Sequence, residues 1–381
     1  MTFVHRFWIS ILFITMTLTG CGHPTSVMAP ITPVNAAAGT EVNLLVATTR
    51  RPSGNPATLF TGERSPGLHV ADIGISIPRR REIGEVQWPR QIPANPDTEF
   101  AVTRVRPIAT LSGSRAWLRE HVREGHAIVF VHGFNNRFED SVFRFSQIVH
   151  DSGMDAAPIL FAWPSRARIT AYEYDRESTN YSRTAFEQSL RLLAEDPSVT
   201  DITVLAHSMG AWLAIEGLRQ MGIRDGHIHS KIQNVILASP DIDIQVFARQ
   251  YREMGQRRPK ITIFVSQDDR ALALSSLITG RVSRLGSIDP SEEPFRSRLE
   301  AAGVLAIDLT KVRSGDALHH SKFAESPQIV RLIGHRLMAG QALTDTNVGV
   351  GGGIAVALGG ALQSIGGVAG IAEAPLEALN K

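Results

Sequence analysis

Five short apolar runs, each closed by glycine, serine or aspartate, constrain the fold of this chain most. They are AIVFVHG (127–133), PILFAWPS (158–165), DITVLAHS (201–208), NVILASPDID (234–243) and KITIFVSQDD (260–269). A sixth, VLAIDLT, spans 304–310. Between them the apolar spacing turns helical. Phe138, Val142, Phe145 and Val149 fall on one face, and helices are expected over 183–194, 209–221, 243–254 and 328–338. Strands that are apolar throughout, alternating with amphipathic helices, predict an α/β fold: a mostly parallel sheet with helices on both faces. Right-handed crossovers then gather the carboxyl ends of the strands along one edge, where ligands bind. Three earlier runs, at 43–49, 70–78 and 101–109, are expected to form an antiparallel edge.

The run at 201–208 ends on Ser208, and a helix is expected to open at Met209. Its centre reads AHSMG, residues 206–210, against the usual nucleophile elbow G-x-S-x-G. The elbow needs small residues two before and two after the serine, because strand and helix backbones crowd there. Gly210 meets that need, and Ala206 adds only a methyl group. Such a turn exposes the serine hydroxyl and aims a helix N-terminus at developing negative charge. Alone, the pentapeptide reads equally as a Ser-Gly turn, so the rest of the chain must decide.

A serine hydroxyl needs a base, an acid that orients the base, and donors for the oxyanion. VHGF (131–134) closes an earlier strand, where a donor belongs, so the N–H groups of Phe134 and Met209 are the candidates. Asp241, Asp243, Asp268 and Asp269 end the two strands after the serine. Asp269 is preferred for its later position, then Asp268, then Asp241. Asp243 best fits a plain helix N-cap. The base is His319 or His320, in a loop after the last strand, and periodicity does not choose between them. His335 falls mid-helix, and His227 and His229 precede the preferred acid, contrary to the order Ser, Asp, His. No metal site and no cofactor are expected: there is no H-E-x-x-H, no cysteine pair and no dinucleotide fingerprint. Trp163, Tyr172 and Tyr174 are candidates for lining a pocket, or for packing.

Net charge is +2 with 20% charged residues, and no concentrated basic footprint points to nucleic acid. The sole cysteine, Cys21, follows a short basic start and an apolar run, residues 7–18, too short to span a bilayer comfortably. Residues 1–20 are therefore expected to be a secretory signal. Residues 21–40, rich in Pro, Ala, Thr and Ser, are expected to be a flexible tether. The domain is placed at 41–340 and a Gly/Ala-rich tail at 341–381. In that tail the pairs Gly349/Gly353 and Gly366/Gly370 have spacing known from membrane helix contacts, although glycine forms helices poorly in water.

LTGC (18–21) resembles a bacterial lipobox, which implies lipidation of Cys21 and a membrane partner through that lipid. Gly22 after it resembles the sorting signal for the outer membrane, so the protein is expected in the cell envelope, facing the periplasm. LVATTR (45–50), ISIP (75–78), IVFVHGFNN (128–136), FAWPS (161–165), VLAHSMG (204–210), ASPDID (238–243), DRALALS (269–275) and HSKF (320–323) together resemble a bacterial α/β-hydrolase family of unknown function in the esterase/lipase superfamily. The resemblance spans roughly residues 44–336. It implies an α/β-hydrolase fold with Asp269 as acid and His320 as base. Lys322 stands where the family often has an aromatic residue. The expectation is a serine hydrolase acting on a small acyl ester through an acyl-enzyme. The alternatives are acyl transfer and a non-catalytic envelope lipoprotein that uses the fold for binding.

Overall fold

A computed structural model describes residues 24–31, 39–334, 355–358 and 361–363. Its centre is a set of parallel strands: β1 (Thr40–Pro52), β4 (His126–Val131), β5 (Ala157–Ala162), β6 (Asp201–His207), β7 (Ile232–Ala238), β8 (Lys260–Val265) and β9 (Leu305–Asp308). Antiparallel β2 (Phe60–Ile77) and β3 (Ala101–Pro107) extend one side, beyond β1. With β10 (Ala355–Leu358) and β11 (Ala361–Gln363), the order across the sheet is β11-β10-β9-β8-β7-β6-β4-β5-β1-β2-β3. The antiparallel edge expected from the first three runs is thus β2 and β3, whereas β1 joins the parallel body.

Alternation along each strand feeds two cores, one on each face. In β4, Ala127, Val129 and Val131 point into one and Ile128 and Phe130 into the other. Helices α3 (Tyr172–Glu195), α4 (Met209–Asp225) and α5 (Ile244–Glu253) contribute to the first core. Helices α2 (Phe138–Ser152) and α9 (Pro327–Leu332) close the second. In α2 the expected face is real: Phe138, Val142 and Phe145 are fully buried, and burying each stabilises by roughly 1.5–3 kcal/mol. Helix α3 begins eleven residues before the expected 183, because TAYEYDREST carries too few apolar residues to announce a helix.

Two expectations at the chain ends need correction. Residues 24–31 do not form a free tether. Val27, Met28 and Ile31 are buried in the second core, and the N–H groups of Met28 and Ile31 donate to Ala57 O and Val102 O, both at 2.8 Å. The apolar residues in that otherwise small and polar stretch supply the reason. The tail is not wholly separate either: β10 (Ala355–Leu358) and β11 (Ala361–Gln363) add to the sheet beside β9, satisfying its open hydrogen-bonding edge. The signal segment 1–20, Cys21, His335 and the paired glycines lie outside the described residues.

Candidate active site

Ser208 sits between β6 and α4 with φ 55° and ψ −122°, a conformation that L-residues rarely adopt and that costs about 1–3 kcal/mol. Hydrogen bonds hold it there. Ser208 N–H donates to Ala238 O at 2.9 Å, and Ser208 O accepts from Ala211 N–H at 3.0 Å and Asp241 N–H at 3.2 Å. The crowding expected of an elbow is present on both sides. A Cβ on Gly210 would lie 2.3 Å from His132 O and 2.6 Å from Val131 O. A Cβ on Gly133 would lie 2.9 Å from Ser208 Cβ, which puts Phe134, one residue on, beside the serine. Ala206, the departure from the usual elbow, is fully buried in the first core, so its methyl has a place. Gly210→Ala is expected to lower stability by about 1–3 kcal/mol, because its new contacts are backbone carbonyls that cannot rotate away. A thermal melt unchanged from the parent would contradict this.

The two histidines make two parallel ion pairs, and burial separates them. His320 Nδ1 lies 2.7 Å from Asp269 Oδ2, with the Asp269 carboxylate fully covered. His319 Nδ1 lies 2.7 Å from Asp268 Oδ2, and both side chains are about one-third exposed. The His320 ring lies 4.6 Å, centroid to centroid, from that of His207, the residue before Ser208. Burial, the largest influence, pulls the His320 pKa down. The hydrogen bond and charge of Asp269, joined by the charges of Asp241 and Asp316, outweigh it and leave the pKa raised. His207 is driven well below the usual histidine value, first by burial and then by His320. Asp269 also caps a helix: its Oδ1 accepts from Leu272 N–H at 3.0 Å at the start of α6 (Arg270–Ile278).

Asp241, the third choice for the acid, has other partners. Its buried carboxylate accepts from the Tyr172 hydroxyl at 2.9 Å and the Ser275 hydroxyl at 2.6 Å, and faces Arg284 Nε at 3.3 Å. Asp243 is a plain N-cap, accepting from Gln245 N–H and Val246 N–H. Lys322 is buried and donates to Asp268, Ser266 Oγ and the carbonyls of Leu309 and Thr310, which ties the histidine loop to the acid turn. Trp163 is packing: it stacks on His132 and donates to His132 O at 2.7 Å. Tyr174 is held between Arg64 and Arg166.

Residues 112–336 match the family described as "Alpha/beta hydrolase of unknown function (DUF900)". The chain belongs to this family. Ser208, Asp269, His320, Phe134 and Met209 all fall inside the match, whereas LVATTR and ISIP lie before it. No curated protein matches the chain. Among solved structures, it is similar to an esterase of Pyrobaculum calidifontis, at 12% identity and TM-score 0.34 over 80% of this chain and 87% of that one. It is also similar to the Pyrococcus furiosus esterase Pf2001, at 10% identity and TM-score 0.27 over 65% and 79%.

The hydrolase fold also has a buried brace that no sequence motif marks. Arg50, at the end of LVATTR, is 1% exposed. It donates to Asn136 O at 2.9 Å, Ser165 O at 3.2 Å and Thr61 O at 3.4 Å. Burial lowers its pKa to about 10, against the opposing pull of Asp175, so it stays charged at neutral pH. Asp175 is buried too. It accepts from Ser165 Oγ at 2.6 Å, Arg166 N–H at 2.9 Å and Asn135 N–H at 3.5 Å. Arg50 and Asp175 therefore fix residues 135–136, directly after Phe134. The one sequence signal for this was an arginine directly after the apolar run 43–49. A cavity of about 230 Å³, bordered by Gly133, Asn136, Arg144, His207 and Ser321, adjoins the same loop.

Proposed function

We propose that this protein is a serine hydrolase that cleaves a carboxylic ester through an acyl-enzyme. Ser208 Oγ attacks the ester carbonyl while His320 Nε2 takes its proton. Asp269 holds the Nδ1 proton of His320 and stabilises the imidazolium. The N–H groups of Phe134 and Met209 receive the negative charge on the carbonyl oxygen. The tetrahedral intermediate then expels the alcohol, which leaves with the proton from His320. Water, deprotonated by His320, frees the acid and regenerates Ser208.

The observation that carries this reading is the covered 2.7 Å His320–Asp269 pair, with its ring 4.6 Å from that of His207, the residue before a serine held at positive φ. The test is a fluorophosphonate ester on folded protein, with the adduct located by mass spectrometry. Modification of Ser208 together with turnover of a short-chain ester is expected. Folded protein that stays unmodified and inactive overturns the proposal.

Cys21 is proposed as a lipid attachment point that holds the protein on the cell envelope. It rests on the apolar run before the chain's single cysteine. Fatty-acid label incorporated by the parent and lost in Cys21→Ala checks it, and label retained in the variant removes it.

A further inference from the structure

Helix α6, which starts at Asp269, is apolar on the wrong side for a helix that only packs. It buries Leu272 and Ser275 and turns Leu274, Leu277 and Ile278 outward, with Leu277 60% exposed. Positions 274, 277 and 278 share one helical face. Leu318, two residues before His320, is also exposed, and its carbonyl accepts from Arg270 N–H at the start of the same helix. On the other flank Ile169 is 62% exposed, three residues before Tyr172, whose hydroxyl meets Ser275 on α6 at 2.9 Å. Five of the eleven exposed large hydrophobic residues among those described thus belong to elements that carry the acid, the base loop and Tyr172. Soluble monomers rarely collect apolar side chains in this way without a partner.

The charges around the patch indicate which partner. Residues 270–288 contain Arg270, Arg281 and Arg284 and no acidic residue. Arg168, Arg270 and Arg281 are exposed, while Arg284 is turned inward to Asp241. Of the nearby acids, Asp268 pairs with Lys322 and His319 and Glu173 with Arg176, while Asp316 is turned inward to the N–H groups of Leu318, His320 and Ser321. Aliphatic side chains ringed by arginines fit the surface of an anionic bilayer, where the apolar groups enter the headgroup boundary and the arginines meet phosphates.

We propose that α6, Leu318 and Ile169 form a lipid-docking face that sets the mouth of the site against an anionic membrane. Given the ester-hydrolase reading, the substrate is then an ester drawn from or presented at that surface.

The test uses the full chain with Cys21→Ser, which leaves no native cysteine. Leu277→Cys, Leu274→Cys or Arg123→Cys is added singly and labelled with an environment-sensitive fluorophore. Arg123 is the control, because it lies just before β4, at the opposite edge of the sheet. Vesicles of three parts phosphatidylethanolamine to one of phosphatidylglycerol are compared with phosphatidylcholine vesicles. With the anionic vesicles, the labels at 277 and 274 are expected to shift to the blue and become at least about threefold less accessible to iodide. The label at 123 stays unchanged, and phosphatidylcholine gives a smaller effect. The proposal is overturned if 277 and 274 do not respond, or if 123 responds equally. It is also overturned if 277 and 274 are shielded before vesicles are added, which would mean that the chain or a second copy covers the face. Adding Ser208→Ala should leave the shifts intact, so failure of docking and failure of the ester chemistry read out separately.

Discussion

Ser208→Ala is expected to lower kcat about 10⁶-fold and Asp269→Asn about 10⁴-fold, with the fold intact in both. Asp241→Asn separates the two buried carboxylates. Asp241 is engaged by Tyr172, Ser275 and Arg284 and not by His320. Its loss leaves Arg284 buried without its partner, a cost of about 3–5 kcal/mol in stability. Activity per folded molecule should change less than about tenfold. The checks are kcat on folded protein and a denaturation curve for each variant. A larger kcat loss in Asp241→Asn than in Asp269→Asn would reverse the assignment of the acid.

The raised pKa of His320 fixes the sign of the pH dependence. In the proposed mechanism His320 acts neutral, so kcat/KM should fall as pH drops through a value above the ordinary histidine value of 6.5. Asp269→Asn removes the strongest of the influences that raise the pKa, so the residual activity should persist to lower pH. Stability runs the other way. The protonated pair contributes fully below the unfolded histidine pKa, and its contribution is lost as pH rises through the folded one.

The second large effect is expected at Arg50. Arg50→Met keeps most of the volume and removes the charge. Asp175 then loses a compensating cation, and the carbonyls of Asn136 and Ser165 lose their donor. Breaking a buried charge arrangement of this kind costs about 3–5 kcal/mol. In the folded fraction kcat should fall while KM moves little, as the proposed oxyanion role of the Phe134 N–H requires. Denaturant unfolding measures the first effect and steady-state kinetics the second. An unchanged kcat would reduce Arg50 to a purely structural brace.

Sequence conveys those features that depend on residues close together. The parallel strands were legible because each run is apolar on both faces, and Ser208 because a strand, a small-residue turn and a helix meet within ten positions. Asp243 as a cap followed from its place before a helix. The choice of His320 over His319 rested on resemblance alone. In space the two differ by burial: both histidines face an aspartate at 2.7 Å, and only the His320 pair is covered. The Arg50 brace reaches Asn136 across 86 positions and Ser165 across 115, and no local pattern encodes such a meeting. Lys322 looked like a departure from the family at the base. It is a buried tie between the two loops. Residues 24–31 read as linker because three apolar side chains are too few to set a period.

Asp269 divides its two oxygens: one starts α6 and the other steadies the imidazole of His320. The outward leucines and the imidazole of His320 are therefore joined through a single carboxylate. Pressure that tilts this helix would move that imidazole as well. Under the proposed reading, this is a mechanical link between where the protein rests and when it turns over.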